Sequence, residues 1–158
     1  MGAKTEVFAK AYEAKVNEAT AAIENISDAD WKKVTSAEKW PVGVVAYHIA
    51  WGHEVIGGLV KATASSQSMP SLTHAGLNEM NAKNAQDWAG RGKAETVALH
   101  KKNAAATAAL VRGLDDSTLA KSGTIISDAP PMSTEQLCGL LASHIDEHLG
   151  SIRATVGH

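Results

Sequence analysis

The stretch STEQLCGLLASHIDEHLGSIRATV, residues 133–156, decides the fold and supplies the first candidate site. Ser133 followed by Gln136 is a capping box, the reciprocal side-chain-to-backbone pairing that opens a helix. Beyond it Leu137, Leu140, Leu141, Ile145, Leu149, Ile152 and Val156 recur at helical spacing and make one apolar stripe. His144 and His148 stand in that stripe. Residues one turn apart share a helix face, so both imidazoles point toward the core. A buried uncharged ring needs a partner for its polar nitrogens, and neutral imidazole is the commonest protein metal ligand.

A third histidine occupies an equivalent position upstream. The run WPVGVVAYHIAWG, residues 40–52, begins a second amphipathic segment, with Pro41 as its first helical residue. Val44, Val45, His48, Ile49, Gly52, Val55, Ile56, Leu59 and Val60 form its stripe. Gly52 is expected to let a neighbouring backbone come close. His48, facing the pair His144 and His148, completes three imidazole ligands with coordination positions left open. That is the pattern of a catalytic metal site rather than a closed structural one.

The rest of the chain reads as further helix. Phe8, Tyr12, Lys15, Ala19, Ile23 and Ile26 mark a first helix over about residues 4–26, with Lys15 snorkelling. SDAD at 27–30 breaks it before a short helical turn around Trp31. The second helix ends near Ala62, and ATASSQSMPS is a polar loop ending at a proline. A third helix spans about Thr73–Ala89, with Leu77, Met80, Asn81, Asn84 and Trp88 on one side. A fourth runs from about Lys93 to Arg112 and is capped by Gly113. DDSTLAKSGTIISDAPPM, starting at Asp115, is an irregular connection. Four long amphipathic helices and one crossover helix bury every stripe most simply as an all-α four-helix bundle, a single domain over residues 1–158.

Composition excludes several classes. The 158 residues are 44% hydrophobic and 20% charged, with a net charge of −2, so no electrostatic nucleic-acid surface is expected. No stretch approaches the ~18 continuous apolar residues of a membrane span, and no signal peptide is expected at the N-terminus. Cys138 is the only cysteine, which fits a reducing cytoplasm and permits no intrachain disulfide. The Ala-rich helices and modest size are compatible with a homodimer through an outer bundle face.

The other histidines read as bystanders. His53 lies five residues after His48, about 140° round the helix, and is expected to be exposed or at a helix boundary. His74 and His100 have no partner at ligand spacing, and His158 is the last residue. HEVIG at 53–57 begins like a zincin motif, but Gly57 takes the second ligand position. HIDEH at 144–148 matches the inverted zincin pattern by chance rather than chemistry. Asp146 and Glu147 read as a solvated face, with Glu147 bordering the stripe as a candidate outer support for the site. Cys138 is six residues from His144, not a same-face spacing, so no Cys–His nucleophile is expected. Asn81, Asn84 and Trp88 are either pocket-lining or packing residues. The tryptophans at 31, 40, 51 and 88 read as packing anchors.

The order of WPVGVVAYH at 40–48, LNEMNAKN at 77–84, LDDSTL at 114–119 and SHIDEHLGSIR at 143–153 resembles the DinB/YfiT-like superfamily of metalloenzymes. The resemblance implies an up-and-down four-helix bundle with extra helical segments. It implies a divalent metal, zinc or nickel, held by His48, His144 and His148. Some members are thiol-dependent transferases or isomerases and others are assigned as hydrolases. The additional C-terminal domain of the mycothiol-dependent isomerases is not expected here. The expected function is thus a metal-dependent S-transferase or hydrolase acting on a small molecule, with a low-molecular-weight thiol as cosubstrate in the first case. The competing expectation is a non-catalytic, metal- or ligand-binding stress protein of the same fold.

Overall fold

The computed structural model describes residues 2–67 and 72–157. Pro70, expected to end the second loop, and His158 lie outside them. Four long helices build the bundle: α1 (Ala3–Glu24), α3 (Val42–Ala64), α5 (Lys93–Arg112) and α6 (Thr134–Val156). A short α2 (Asp28–Trp31) follows α1, and α4 (His74–Asp87) joins α3 to α5. The all-α four-helix bundle with an additional crossover helix is therefore present. Among the described residues, no helix is long and apolar enough to cross a membrane.

Local chemistry sets the helix ends. Ser133 Oγ accepts from the Gln136 N–H while Gln136 Oε1 accepts from the Ser133 N–H, so the capping box is as expected. Ser27 caps α2 in the same way, accepting from the Asp30 N–H, and Thr73 caps α4. Pro41 is the N-cap of α3 rather than its first helical residue, one position from expectation. Gly113 caps α5 in a right-handed conformation, so its value there is not left-handed freedom. The backbone N–H groups of Lys4 and Thr5 donate to Asp116 of a short 3-10 turn, Asp116–Thr118. The irregular connection also holds a small antiparallel pair, β1 (Ser122–Gly123) against β2 (Met132–Ser133).

Helix directions follow from the side chains that meet. Lys15 pairs with Asp146, and Arg153 with Glu18, so α1 and α6 run the same way. Arg112 meets Glu6 while Lys101 meets Glu24, so α5 runs against α1. Asn103 donates to the Ala50 carbonyl and Thr107 to that of His53, so α3 and α5 are parallel neighbours. Along the chain the long helices run up, down, down and up, so the strictly alternating order implied by the resemblance gives way to one parallel pair, α3 and α5. A parallel neighbour cannot be reached by a tight turn, because the chain must first return the length of the bundle. The crossover helix α4 makes that return; at 1.5 Å per residue its 14 residues span ~21 Å.

The core lies where α1, α3, α5 and α6 meet. Ile23, Val45, Ile49, Leu137, Leu141, Ile145 and Leu149 are at most 2% exposed. Fifteen of the 23 residues of α3 are buried, so it is packed on nearly every side. α4 differs: none of its residues is buried, and Leu77, Met80, Asn81 and Asn84 are half-buried. It is fastened at its C-terminal end by Trp88, which packs on Tyr47 and Trp51 of α3.

Candidate metal centre

α3 and α6 run antiparallel, which brings His48 to the level of His144 and His148. Nε2 of His48 and Nε2 of His144 face each other at 3.2 Å. The ring of His48 lies 5.0 Å from that of His144 and 4.7 Å from that of His148. One nitrogen from each residue falls within 4.8 Å of the other two. Among the described residues no other trio of His, Cys, Asp or Glu converges in this way. The structure thus brings all three sequence-predicted ligands together.

The donor set fits a metal ion on two counts. Two ligands ~2.1 Å from one tetrahedral ion lie ~3.4 Å apart, close to the separation of the two facing nitrogens. Nδ1 of His48, the nitrogen that does not face His144, is buried with no hydrogen-bond partner, and an ion on Nε2 would leave it so. The rings of His48 and His144 are also held neutral, as a ligand must be. Burial and the nearby His148 lower His48 to about 4, and burial with His148 and His48 lowers His144 to about 3.

The surroundings explain that burial. The rings of Trp40, Trp51 and Trp88 stand 5.4, 5.7 and 6.5 Å from the ring of His48. Three of the tryptophans expected as packing anchors therefore wall one side of the centre. Gly52 admits a neighbour as expected, but it is a side chain and not a backbone. A Cβ at Gly52 would sit 2.6 Å from Cε1 of His144. His144 occupies the space that glycine leaves open.

Glu38 is the residue of this site that sequence reasoning missed. Its Oε2 accepts from Nδ1 of His148 at 3.2 Å, and its Oε1 accepts from Ser151 Oγ. Burial pushes its carboxyl up, but hydrogen bonds from Ser151, His148 and Thr35 outweigh that and hold it below the usual carboxylate range. Glu147, expected beside the site, is exposed. Spacing within one helix pointed to Glu147, whereas Glu38 arrives from a turn about 110 residues earlier in the chain.

Two of the expected bystanders are core residues. His53 is 2% exposed and His100 fully buried, so the expectation of an exposed His53 is corrected. The 140° rotation away from His48 is real, but α3 is packed on that side too, by α1 and α5. Nδ1 of His53 lies 2.7 Å from the Tyr12 hydroxyl, and its Nε2 lies 2.9 Å from Nδ1 of His100. Nε2 of His100 then reaches Thr20 Oγ1 at 2.9 Å. Thr20 already donates to the Val16 carbonyl, so His100 donates to Thr20. It follows that His53 donates to His100 and Tyr12 donates to His53. The available signal was an apolar run over 42–60 with no polar face, which buries a histidine wherever it falls. His74 is an exposed residue paired with Asp128 at 3.1 Å. Cys138 is buried and its thiol is pushed up to about 11, which keeps it protonated and unreactive.

A family model described as the DinB superfamily matches residues 11–152. The chain belongs to the DinB superfamily. Comparison with curated protein sequences finds no match. Among solved structures, the DinB chain is similar to the mycothiol-dependent maleylpyruvate isomerase, with a TM-score of 0.74 and 11% identity over 94% of its length. It spans 60% of the isomerase chain. It is also similar to YfiT from Bacillus subtilis, described as a probable metal-dependent hydrolase with an unusual four-helix bundle topology. That likeness covers 99% of this chain and 90% of YfiT, at a TM-score of 0.74 and 16% identity. At these identities the likeness carries the DinB fold and not the reaction.

Proposed function

We propose that this chain is a single-domain DinB metalloenzyme in which His48, His144 and His148 hold a divalent ion, zinc or nickel. One observation carries the reading: three imidazoles from two helices meet with donor nitrogens within 4.8 Å of one another. A bound ion would act there as a Lewis acid, lowering the pKa of a bound water or thiol so that a nucleophile exists at neutral pH. The protein residues supply the rest. Three ligands leave room for substrate, the tryptophan wall excludes water from one side, and Gly52 lets His144 lie flat against α3.

The reaction class we favour is transfer of a low-molecular-weight thiol to a small electrophile, with hydrolysis as the other reading. The thiol reading is supported by likeness to a mycothiol-dependent protein, and the hydrolase reading by likeness to YfiT. Turnover of an electrophilic thiol acceptor and of an activated ester, each with and without thiol, separates the two. Metal-dependent turnover of the acceptor only when thiol is present is the expected result. Turnover of the ester alone would favour the hydrolase, and metal-independent behaviour in both would remove the enzyme reading. We place the chain in a reducing cytoplasm, consistent with its unpaired cysteine, and as a homodimer, which a light-scattering mass of one chain at micromolar concentration would refute.

Gly52→Ala provides a geometric test. The new methyl would lie 2.6 and 3.0 Å from two atoms of the His144 ring, closer than carbon atoms approach, so the ring must swing away. Zinc affinity is expected to fall by about tenfold, the lower end of what disturbing a ligand's support costs. The helical circular dichroism signal should persist. Affinity equal to wild type would place His144 outside the coordination sphere.

A further inference from the structure

We infer that Glu38 is a positioning residue that sets the tautomer and aim of His148, and so the affinity of the metal centre. The inference rests on the metal reading above. An imidazole can offer an ion only one nitrogen while the other carries its proton, and the partner of the second nitrogen decides which is which. His148 has its Nδ1 against Glu38 Oε2 at 3.2 Å. A carboxylate accepts and cannot donate, so Nδ1 carries the proton and Nε2 is left with its lone pair. Both side chains are enclosed, at 12% and 10% exposure, so water does not readily replace either partner.

The carboxylate is itself held in place. Its second oxygen accepts from Ser151, one turn beyond His148 on α6. Its backbone lies in a turn that is pinned at both ends. The Thr35 N–H donates to the Trp40 carbonyl at 2.9 Å, and the Val42 N–H donates to Lys33 at 2.7 Å. Lys39 adopts the left-handed conformation, with φ of 64°, which the turn needs in order to reverse. The same turn carries Trp40 onto the ring of His48 at 5.4 Å. One short segment thus steadies ligands from two helices, His148 through a charged hydrogen bond and His48 through ring packing.

The test compares wild type with Glu38→Gln, Glu38→Ala and His148→Ala. The first readout needs no metal: nitrogen NMR of the histidine rings at pH 8, on metal-free protein. His148 is expected as the Nδ1–H tautomer in wild type and as a mixture in Glu38→Ala. The second readout is zinc affinity by competition with a chromogenic chelator. Glu38→Ala is expected to bind zinc between about tenfold and a hundredfold more weakly. Glu38→Gln keeps the shape and one acceptor, so it should fall between Glu38→Ala and wild type. A merely structural tie between the turn and α6 would lower melting temperature but leave tautomer and affinity unchanged, and that result overturns the inference. If wild type binds no zinc, or His148→Ala binds it as well as wild type, the metal reading itself fails. The tautomer measurement then still decides whether Glu38 controls His148.

Discussion

His148→Ala is expected to remove the chelator-sensitive part of this protein's thermal stability. A ligand that binds only the folded state stabilises it by mass action, by ~2.7 kcal/mol at a hundredfold excess over its dissociation constant. In a domain of this length each kcal/mol moves the midpoint by ~2–4 °C, so a chelator should lower the melting temperature of zinc-loaded wild type by roughly 5–10 °C. The variant keeps only two imidazoles, and its melting temperature is expected to be the same with and without chelator. The bundle should survive, because His148 borders the core rather than filling it and retains 12% side-chain exposure. Differential scanning calorimetry of both proteins, loaded and stripped, makes the measurement. A chelator response of wild-type size in the variant would remove His148 from the site.

His53→Ala strikes the core instead. The ring lies between Tyr12 and His100; its loss strands Nδ1 of His100 in the interior and leaves the Tyr12 hydroxyl with only Thr107. A stranded polar group costs about 1–3 kcal/mol, and the cavity left by the ring adds to that. A loss of about 3–5 kcal/mol in urea unfolding is expected, a large part of a domain's 5–15 kcal/mol. His74→Ala on the surface should change stability by less than about 0.5 kcal/mol. Equal small effects for the two would show that the buried array is not needed for the fold.

The same residue makes the metal-free protein sensitive to acid. Burial, with the charges of His100 and His144 nearby, lowers His53 from 6.5 to about 3. His100 is lowered as well, chiefly by burial. Between those values the unfolded chain binds a proton that the folded chain does not. The stability due to His53 is therefore fully present above pH 6.5 and is lost as pH falls toward 3. The slope is at most ~1.4 kcal/mol per pH unit for each such histidine. Unfolding midpoints should drop between pH 7 and pH 5 in wild type, and drop less steeply in His53→Ala.

Helix placement and the three candidate ligands were legible in the sequence, because both depend on spacing within one segment. The period of Leu137, Leu141, Ile145 and Leu149 fixes a helix face, and His144 and His148 inherit it. Pro41 marks the start of α3 to within one residue, and the box at Ser133 marks the start of α6. What spacing lacks is direction and partnership between segments. The sequence carried no sign that α3 and α5 lie parallel, since that is settled by how four stripes bury one another and by α4 returning the chain across the bundle. It read His53 as exposed because amphipathic reasoning assumes an outer face, and α3 has almost none. It offered Glu147 in place of Glu38 because neighbours along a helix are visible in sequence, whereas a carboxylate delivered from a pinned turn to a distant helix is not. The chemistry available to each residue was set by its identity; which nitrogen of His148 is free, and which histidines share a partner, was set only when the helices packed.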